Sequence, residues 1–497
     1  MNKSAALTLA QATAAAREGG GSLELLSLPL TPAQSGCALR LTQAGALITS
    51  GAANSAVLNA ELVVKKVFLK GSEAASMLGR AADPQTFESV AGRWFDSGQQ
   101  GGGYEVAAGY WLADAFIRGV GPSEAGELTN FLAGRIPLYR PRSKVSVRRY
   151  PTGGISEKQA LILPPIMRAL AREFSWCSPF LVAGKLAHTG GTRDKLAVIP
   201  GFKISKIADL PMWNGVDRPV RYFSADAELC PRDAMMYRLR GETGTVADTG
   251  LMASSIMSKQ IALPADVIIL DILHGPTAFL KTRVESEKFG GMCEAIGLTN
   301  GVKIVSKLRE SKNILGRSVG SSTEIVEAAE LLRGDIYYEL GGAEIATSIG
   351  FIRVFAEELG LDPELVCHRA EVAIKSGDAF DAMLDLFLEH GVDSKYVRSF
   401  SCSPRDTVLG GIDKTTILAS DSGTVKWDAM SVADIANYKI NSPAPKKYPI
   451  CTVRQGGVEL LAQDGSPVKK GDPLAVIYGE DSESVAGSLS VAVSIST

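Results

Sequence analysis

The chain has 497 residues, of which 45% are hydrophobic and 21% charged, the make-up of a globular protein with room for two or three separately cored domains. Its formal net charge is −2, so no global field draws it to nucleic acid or to an anionic membrane, and any bound anion needs a local site. Seven scattered cysteines without a CxxC pair and four histidines without an HExxH pattern argue against a disulfide frame, a structural zinc or a transition-metal hydrolase, and for no metal at the site.

Residues 1–21 are alanine-rich, carry Lys3 and Arg17, and end in Gly19-Gly20-Gly21. They hold less arginine than an organellar presequence and read as a short helix or a loose tail, with the cytoplasm as the default location. No apolar run is long enough to span a bilayer. Short apolar runs (Leu23–Leu28, Ala38–Leu41, Leu62–Leu69) then alternate with Gly, Ser and Pro, which predicts a mixed or β-rich N-terminal extension over residues 1–84. From Phe87 to about Tyr139 the pattern turns helical. Val106, Ala107, Tyr110, Trp111 and Ala115 recur at three- and four-residue spacing, and Pro122-Ser123 is a start signal for a helix over Ser123–Leu132. Residues 85–139 are therefore expected to form a helical lobe, completed by about 228–262.

A basic stretch, Arg140–Arg149, leads into Tyr150-Pro151-Thr152-Gly153-Gly154. Taken alone it reads as a solvated basic loop. Strand-like runs follow at Phe180–Ala183 and at Val267–Asp271, the second an apolar run closing on a carboxylate, as a central parallel strand does. Strands are expected to alternate with helices, among them Glu324–Leu332 and Ala343–Leu359, to about residue 395. That alternation predicts an α/β lobe with a mostly parallel sheet over 140–227 and 263–400. After Pro404 short strands and turns, such as Ser422–Val425 and Val468–Leu474, predict a C-terminal β-rich module over 401–497.

Three groups of residues carry chemistry. The string Ala187-His188-Thr189-Gly190-Gly191-Thr192-Arg193-Asp194-Lys195-Leu196 sets a glycine pair among polar residues just before a helix start, a loop whose backbone N–H groups can face an anion. Asp248 can cap a helix in which Ser255 and Lys259 lie one turn apart, and Tyr237 and Arg240 also have helix-neighbour spacing. A phenol, a guanidinium, a hydroxyl and an ammonium then converge on a small planar polar ligand. Spacing alone leaves a plainer alternative, in which Arg240 and Lys259 are surface charges and Ser255 packs. Four histidines are too few for a cluster, and His188 in particular reads as a structural loop residue.

The glycine-rich string, with Ile199-Pro200-Gly201-Phe202 after it and Ser255-Ile256-Met257-Ser258-Lys259-Gln260 downstream, resembles the thymidine/pyrimidine-nucleoside phosphorylase family over about residues 85–480. The resemblance implies a helical lobe, a larger α/β lobe, a hammerhead-like C-terminal module, substrate held between the lobes, and a homodimer through the helices of Phe87–Leu132. It implies phosphorolysis of pyrimidine (deoxy)ribonucleosides, with inorganic phosphate as co-substrate and no cofactor; a potassium ion at the loop containing Pro276 is left open. The family's base-binding arginine, serine and lysine match Arg240, Ser255 and Lys259, and its tyrosine matches Tyr237. Arg240 and Lys259 would act catalytically by stabilising the negative charge that develops on the leaving pyrimidine.

In the phosphate site the chain departs from the family. The family's Lys-His-Ser is here Arg149-Tyr150-Pro151, a helix serine matches Ala160, and a further serine matches Val182, while Gly153, Gly154 and Thr192 are kept. Arg148, Arg149, Lys158 and Lys185 bring positive charge to the same region. Three readings follow. Phosphate is held by Arg149, Lys185, Thr192, Gly153 and Gly154; or the base site is kept while the nucleophile or the substrate's phosphorylation state has changed; or the protein is an inactive pyrimidine-binding or assembly protein.

Overall fold

The computed structural model describes residues 37–42, 45–50, 108–109, 111–112, 115–116, 119–134, 145–184, 189–213, 215, 217–225, 227–243, 245–246, 248–334, 338–440, 456–480 and 482–496. Lys185 and His188, most of the N-terminal extension, and the helical positions Val106, Ala107 and Tyr110 lie outside these residues.

In chain order the elements are β1 (Cys37–Thr42), β2 (Gly45–Ser50), α1 (Pro122–Ala133), β3 (Val145–Pro151), α2 (Gln159–Leu170), β4 (Trp176–Val182), α3 (Thr192–Leu196) and β5 (Val220–Ser224). They continue with α4 (Pro231–Thr243), α5 (Thr249–Ala262), β6 (Val267–His274), α6 (Arg283–Thr299), β7 (Lys303–Glu310) and β8 (Ser318–Val319). Six helices follow, α7 (Ser321–Arg333), α8 (Tyr338–Glu358), α9 (Pro363–Lys375), α10 (Asp378–Glu389), α11 (Ser394–Cys402) and α12 (Pro404–Leu409). The C-terminal part holds β9 (Lys414–Leu418), β10 (Gly423–Trp427), α13 (Ala429–Asp434), β11 (Gly457–Leu460), β12 (Pro467–Val468), β13 (Pro473–Tyr478), α14 (Ser482–Val491) and β14 (Val493–Ser496).

The chain divides into two compact units, one of Met1–Leu138, Asp226–Leu263 and Gly291–Gly301, the other of Tyr139–Ala225, Pro264–Gly290 and Val302–Thr497. In the first, β1 and β2 form an antiparallel hairpin, and α1 packs on α5. The approach is close because Gly250 has no side chain: a Cβ there would fall 2.5 Å from Val120 Cβ. Ser254 Oγ donates across the contact to Ala125 O at 3.1 Å. Helix α1 begins one residue earlier than the sequence signal, with Gly121 as cap and Pro122 in the first turn, where the missing N–H of proline costs nothing.

The second unit is built on a five-stranded sheet in the order β5-β4-β3-β6-β7, with every neighbouring pair parallel. Strand β4 is buried along its whole length and β6 along all but its last residue, which is why both read as near-continuous apolar runs. Helix α2 packs on the sheet, and Tyr222 of β5 donates its hydroxyl to Ala160 O at 2.9 Å. One continuous core joins β3, β4, β5 and β6 to α2 and helices α7 to α12. The C-terminal strands form two antiparallel sheets, β8-β11-β13-β9 and β12-β10-β14, around a separate apolar cluster.

Three expectations are corrected. The strand–helix alternation stops at β7 and β8, and the described residues of 321–409 are helical apart from short connections; side-chain caps at Asp362, Asp393 and Ser403 start α9, α11 and α12. The basic stretch is not a solvated loop where it is described, because Val145–Pro151 is a parallel strand with Arg148 and Arg149 both buried. Strand β6 does not end at Asp271 but runs on through His274, since β7 continues to pair with it as far as Glu310.

Candidate active site

Strand β3 is the first of the parallel sheet in the chain; β4 and β5 are laid down on one side of it, and β6 and β7 on the other. The chain therefore parts between β3 and β6, and at such a switch point the carboxyl ends of the strands leave a crevice for ligand. The segment Thr152-Gly153-Gly154 leaves β3 there. Thr152 is fixed from both sides: its N–H donates to Asp271 O at 2.9 Å, and its Oγ1 accepts from Leu273 N at 3.0 Å. Gly153 takes φ +97°, a conformation that favours glycine, and Gly154 packs closely on Leu273, whose Cδ2 a Cβ there would meet at 2.7 Å. Ser156 also sits at positive φ, with its hydroxyl donating to Ser318 O and accepting from Lys158 Nζ at 2.8 Å. The loop around Thr189 and Gly190 lies beside this turn. Thr189 is the side chain nearest Gly153, and Lys195 of α3 donates to Glu157 O at 2.6 Å.

Beneath the turn is a layer of buried charge. The register sets Arg149 opposite Ile269, and Leu273 opposite Arg309, so Arg149, Asp271 and Arg309 share one face of the sheet. Arg309 binds Asp271 with two nitrogens, at 2.8 and 2.7 Å. Arg149 reaches the same carboxylate with Nε at 3.1 Å and also with Nη2, which contacts Glu157 at 2.7 Å as well. Burial alone would push the Asp271 carboxyl up, but the two guanidinium groups outweigh it and hold the group below the usual carboxylate range. Both arginines lie over the Phe351 ring, at 5.0 and 5.6 Å from its centre. Arg149 Nη1 is buried and has no hydrogen-bond partner among the described residues. Lys158 pairs with Glu327 at 3.2 Å and Lys195 with Glu324 at 2.5 Å. On β3, burial lowers the Arg148 guanidinium to about 9.

In the first unit Tyr237 and Arg240 lie on α4, and Ser255 and Lys259 on α5. Asp248 caps α5 by accepting from Leu251 N at 2.8 Å. The Lys259 ammonium donates to Ser255 O at 2.8 Å and to Ser255 Oγ at 3.3 Å, and it forms an ion pair with Asp233. Arg240 is 1% exposed, lies over the Tyr237 ring, and donates to Thr245 O, Leu251 O and Val246 O at 3.4, 3.1 and 2.7 Å. Burial lowers its guanidinium from the ordinary arginine range. Neither cation is a surface charge, and Ser255 is buried.

Of the anion-site residues expected from sequence, Gly153 and Gly154 form the turn, Thr192 opens α3 half-buried, and Arg149 lies in the ionic layer. The positions lacking hydroxyls, Ala160 and Val182, are buried. Sequence reading missed Asp233, Glu157, Arg309, Glu324 and Glu327. A signal existed for Asp233, which precedes Tyr237 by four residues and Arg240 by seven and so falls on their helix face. Among the described residues no group of three or more His, Cys, Asp or Glu is placed to hold a metal ion, and no helix is long and apolar enough to cross a membrane.

No family model matches the chain. Curated relatives do. It is 28% identical over 366 residues to the pyrimidine-nucleoside phosphorylase of Geobacillus stearothermophilus, which covers 73% of this chain and 82% of that protein. It is 32% identical over 337 residues to the thymidine phosphorylase of Mycobacterium tuberculosis, covering 67% of this chain and 72% of the relative. Among solved structures, the anthranilate phosphoribosyltransferase of Thermus thermophilus superposes with a TM-score of 0.47 at 13% identity, over 64% of this chain and 98% of that one. With about a third of its residues shared over most of the length of a thymidine phosphorylase, the chain belongs to the thymidine/pyrimidine-nucleoside phosphorylase family, a family of pentosyl-transferring enzymes.

Proposed function

We propose that the protein is a pyrimidine-nucleoside phosphorylase, converting a pyrimidine (deoxy)ribonucleoside and phosphate to free base and pentose 1-phosphate. A phosphate oxygen attacks C1′ from the face opposite the base, the C1′–N1 bond breaks with its electron pair passing to the ring, and the centre inverts. Arg240 and Lys259 stabilise the pyrimidine anion as it forms, when the attraction is stronger than toward the neutral substrate. Tyr237 and Ser255 orient the ring. Thr192, Lys185, Arg149 and the turn at Gly153 and Gly154 hold the phosphate. The observation that carries this reading is the arrangement on α4 and α5, where the part-buried Lys259 ammonium lies against the Ser255 hydroxyl and the buried Arg240 guanidinium lies over the Tyr237 ring. On the same reading the active form is a homodimer.

A second reading keeps the base site and changes the nucleophile or the substrate's phosphorylation. The charge layer favours it, because two of the three Arg149 nitrogens, Lys158 and Lys195 are already matched to carboxylates. Each hydroxyl donor missing at Pro151, Ala160 and Val182 removes roughly 1–3 kcal/mol from binding of a buried anion.

The deciding experiment incubates the protein with thymidine, uridine or deoxyuridine, with and without phosphate, and follows base release by chromatography. Phosphate-dependent release establishes the phosphorylase. Release without phosphate gives the second reading. No release together with calorimetric binding of uracil or thymine leaves a changed substrate or a binding protein. If release is absent, Tyr150→His, Pro151→Ser and Val182→Ser together should bring it back, and continued inactivity would count against simple loss of the phosphate pocket.

A further inference from the structure

The parallel sheet brings two of the hydroxyl-lacking positions together. Val145 pairs with Trp176, and Arg148 donates to Pro179 O at 3.5 Å. The same register sets Pro151, at the end of β3, level with Val182, at the end of β4. Neither side chain can donate a hydrogen bond. The described cations around the neighbouring turn are already committed, Arg149 to Asp271 and Glu157, Lys158 to Glu327, and Lys195 to Glu324. An oxyanion held here needs donors and charge from a further side chain.

Arg193 is placed to supply them. It follows Thr192 in α3, and its backbone N–H donates to Ala183 O at 3.1 Å, just beyond β4. Its guanidinium folds back over Gly184: a Cβ on that glycine would fall 2.6 Å from Nη2, 3.2 Å from Cζ and 3.4 Å from Nε. The glycine thus leaves room for the guanidinium two residues past Val182. Arg193 is exposed, and among the described residues its side chain has neither a hydrogen bond nor an ion pair. Its charge is unspent, and the planar fork of an arginine matches two oxygens of a phosphate. We propose that Arg193 binds the phosphate through its guanidinium, supplying at the end of β4 the donors that Pro151 and Val182 lack. This rests on the phosphate-dependent reading above, and it adds to that site the residue that carries the charge.

The test measures binding of inorganic phosphate by calorimetry in the unaltered protein and in four variants. Arg193→Met should weaken it by about tenfold or more, as expected for loss of charge-assisted hydrogen bonds. Arg193→Lys keeps the charge without the fork and should restore part of that loss. Gly184→Ala puts a methyl group where the guanidinium lies; the flexible arginine can swing aside, so phosphate binding should weaken while the fold stays intact. Arg172→Met removes an exposed arginine just before β4, at the other end of the strand, and should change nothing. An Arg193→Met protein that binds phosphate as tightly as the unaltered one overturns the proposal and leaves the phosphate site to other residues. An equal loss in Arg172→Met overturns it too, because the effect would then be one of net charge. No phosphate binding by the unaltered protein removes the phosphate-dependent reading, and the role of Arg193 with it. If Arg193→Met does not fold, Gly184→Ala decides, and an unchanged affinity there overturns the proposal.

Discussion

Arg240 in the first unit and Arg149 in the second are both enclosed arginines at sequence-matched site positions, and they are held in opposite ways. The guanidinium of Arg240 rests on three backbone carbonyls, neutral acceptors that orient it and leave its charge in place. Arg149 is pinned between the carboxylates of Asp271 and Glu157, with Arg309 closing the other side of Asp271. An arginine held by carbonyls keeps an attraction for a developing anion, and the low-dielectric surroundings strengthen it. An arginine held by carboxylates has spent most of that attraction on its partners, and what it gives the fold is a fixed floor under the Thr152–Gly154 turn. On the proposed base-binding reading Arg240 keeps charge to meet an anion, although Lys259 is already paired with Asp233, whereas Arg149 stands on charge already balanced.

The largest expected effect tests that floor. Asp271→Ala removes the carboxylate shared by buried Arg149 and part-buried Arg309 and should destabilise the protein by about 3 kcal/mol, read from the denaturant midpoint. A loss below about 1 kcal/mol would mean that water reaches the layer and that its charges are not balanced by one another.

The second unit also contains a buried titratable ring. His390 stacks on Phe202 at 4.6 Å, approaches Lys203 O with Nδ1 at 2.7 Å, and accepts from Tyr222 N at Nε2. Burial is the main cause, with Arg221, Arg218 and Arg168 adding to it, that lowers its imidazole to about 4 from 6.5. The folded state therefore binds this proton less tightly than the unfolded chain. The contribution to stability is complete above about pH 6.5 and is lost as pH falls toward 4, up to about 3 kcal/mol in all. His390→Phe should flatten the pH dependence of stability in that window. An unchanged slope would show that the ring charges freely inside the fold.

In the first unit, Arg240→Met keeps much of the packing but removes the donors to Thr245 O, Leu251 O and Val246 O. A loss of about 1–3 kcal/mol in stability is expected, together with a more than about tenfold loss of uracil binding. Stability loss with intact binding would make Arg240 a brace for the 245–251 segment and nothing more.

How far all this could be read in advance depended on the range of the interactions. Local signals worked: Asp248 as a cap, Ser255 and Lys259 one turn apart, Tyr237 beside Arg240, and the buried apolar run at Val267 are each fixed by a few neighbouring residues. The compensation of Arg149 was invisible because Asp271 and Arg309 come from strands more than a hundred residues downstream and meet it only through sheet register. A run of arginines that looks solvated by composition becomes buried once its strand lies inside a sheet. The helices of 321–409 misled for another reason. The helices expected at Glu324–Leu332 and Ala343–Leu359 are found as α7 and α8, but nothing in a single helix's period tells whether the next element is a strand or another helix.

The smallest effect separates the two regions most cleanly, because it sets two buried aspartates against each other. Asp248 accepts Leu251 N–H at the start of α5, and burial raises its carboxyl more than that bond and nearby Arg240 lower it. Asp271 is shifted the other way by its two arginines. For Asp248 the raised folded value means that its favourable share is complete below the unfolded value of about 3.9 and fades as pH rises through the folded one; for Asp271 the share is present above that value and fades as pH falls. Asp248→Ala should cost about 1 kcal/mol, the usual worth of a cap. Asp248→Asn keeps an acceptor for Leu251 N–H without an ionisable group, so it should be neutral or slightly stabilising near pH 7, whereas Asp271→Asn should be clearly destabilising there. Denaturation of the two asparagine variants at pH 5 and pH 7 measures the contrast. Equal losses in both would mean that the carboxylate charge matters as much at the cap of α5 as in the balanced layer, and the distinction drawn between the two regions would fall.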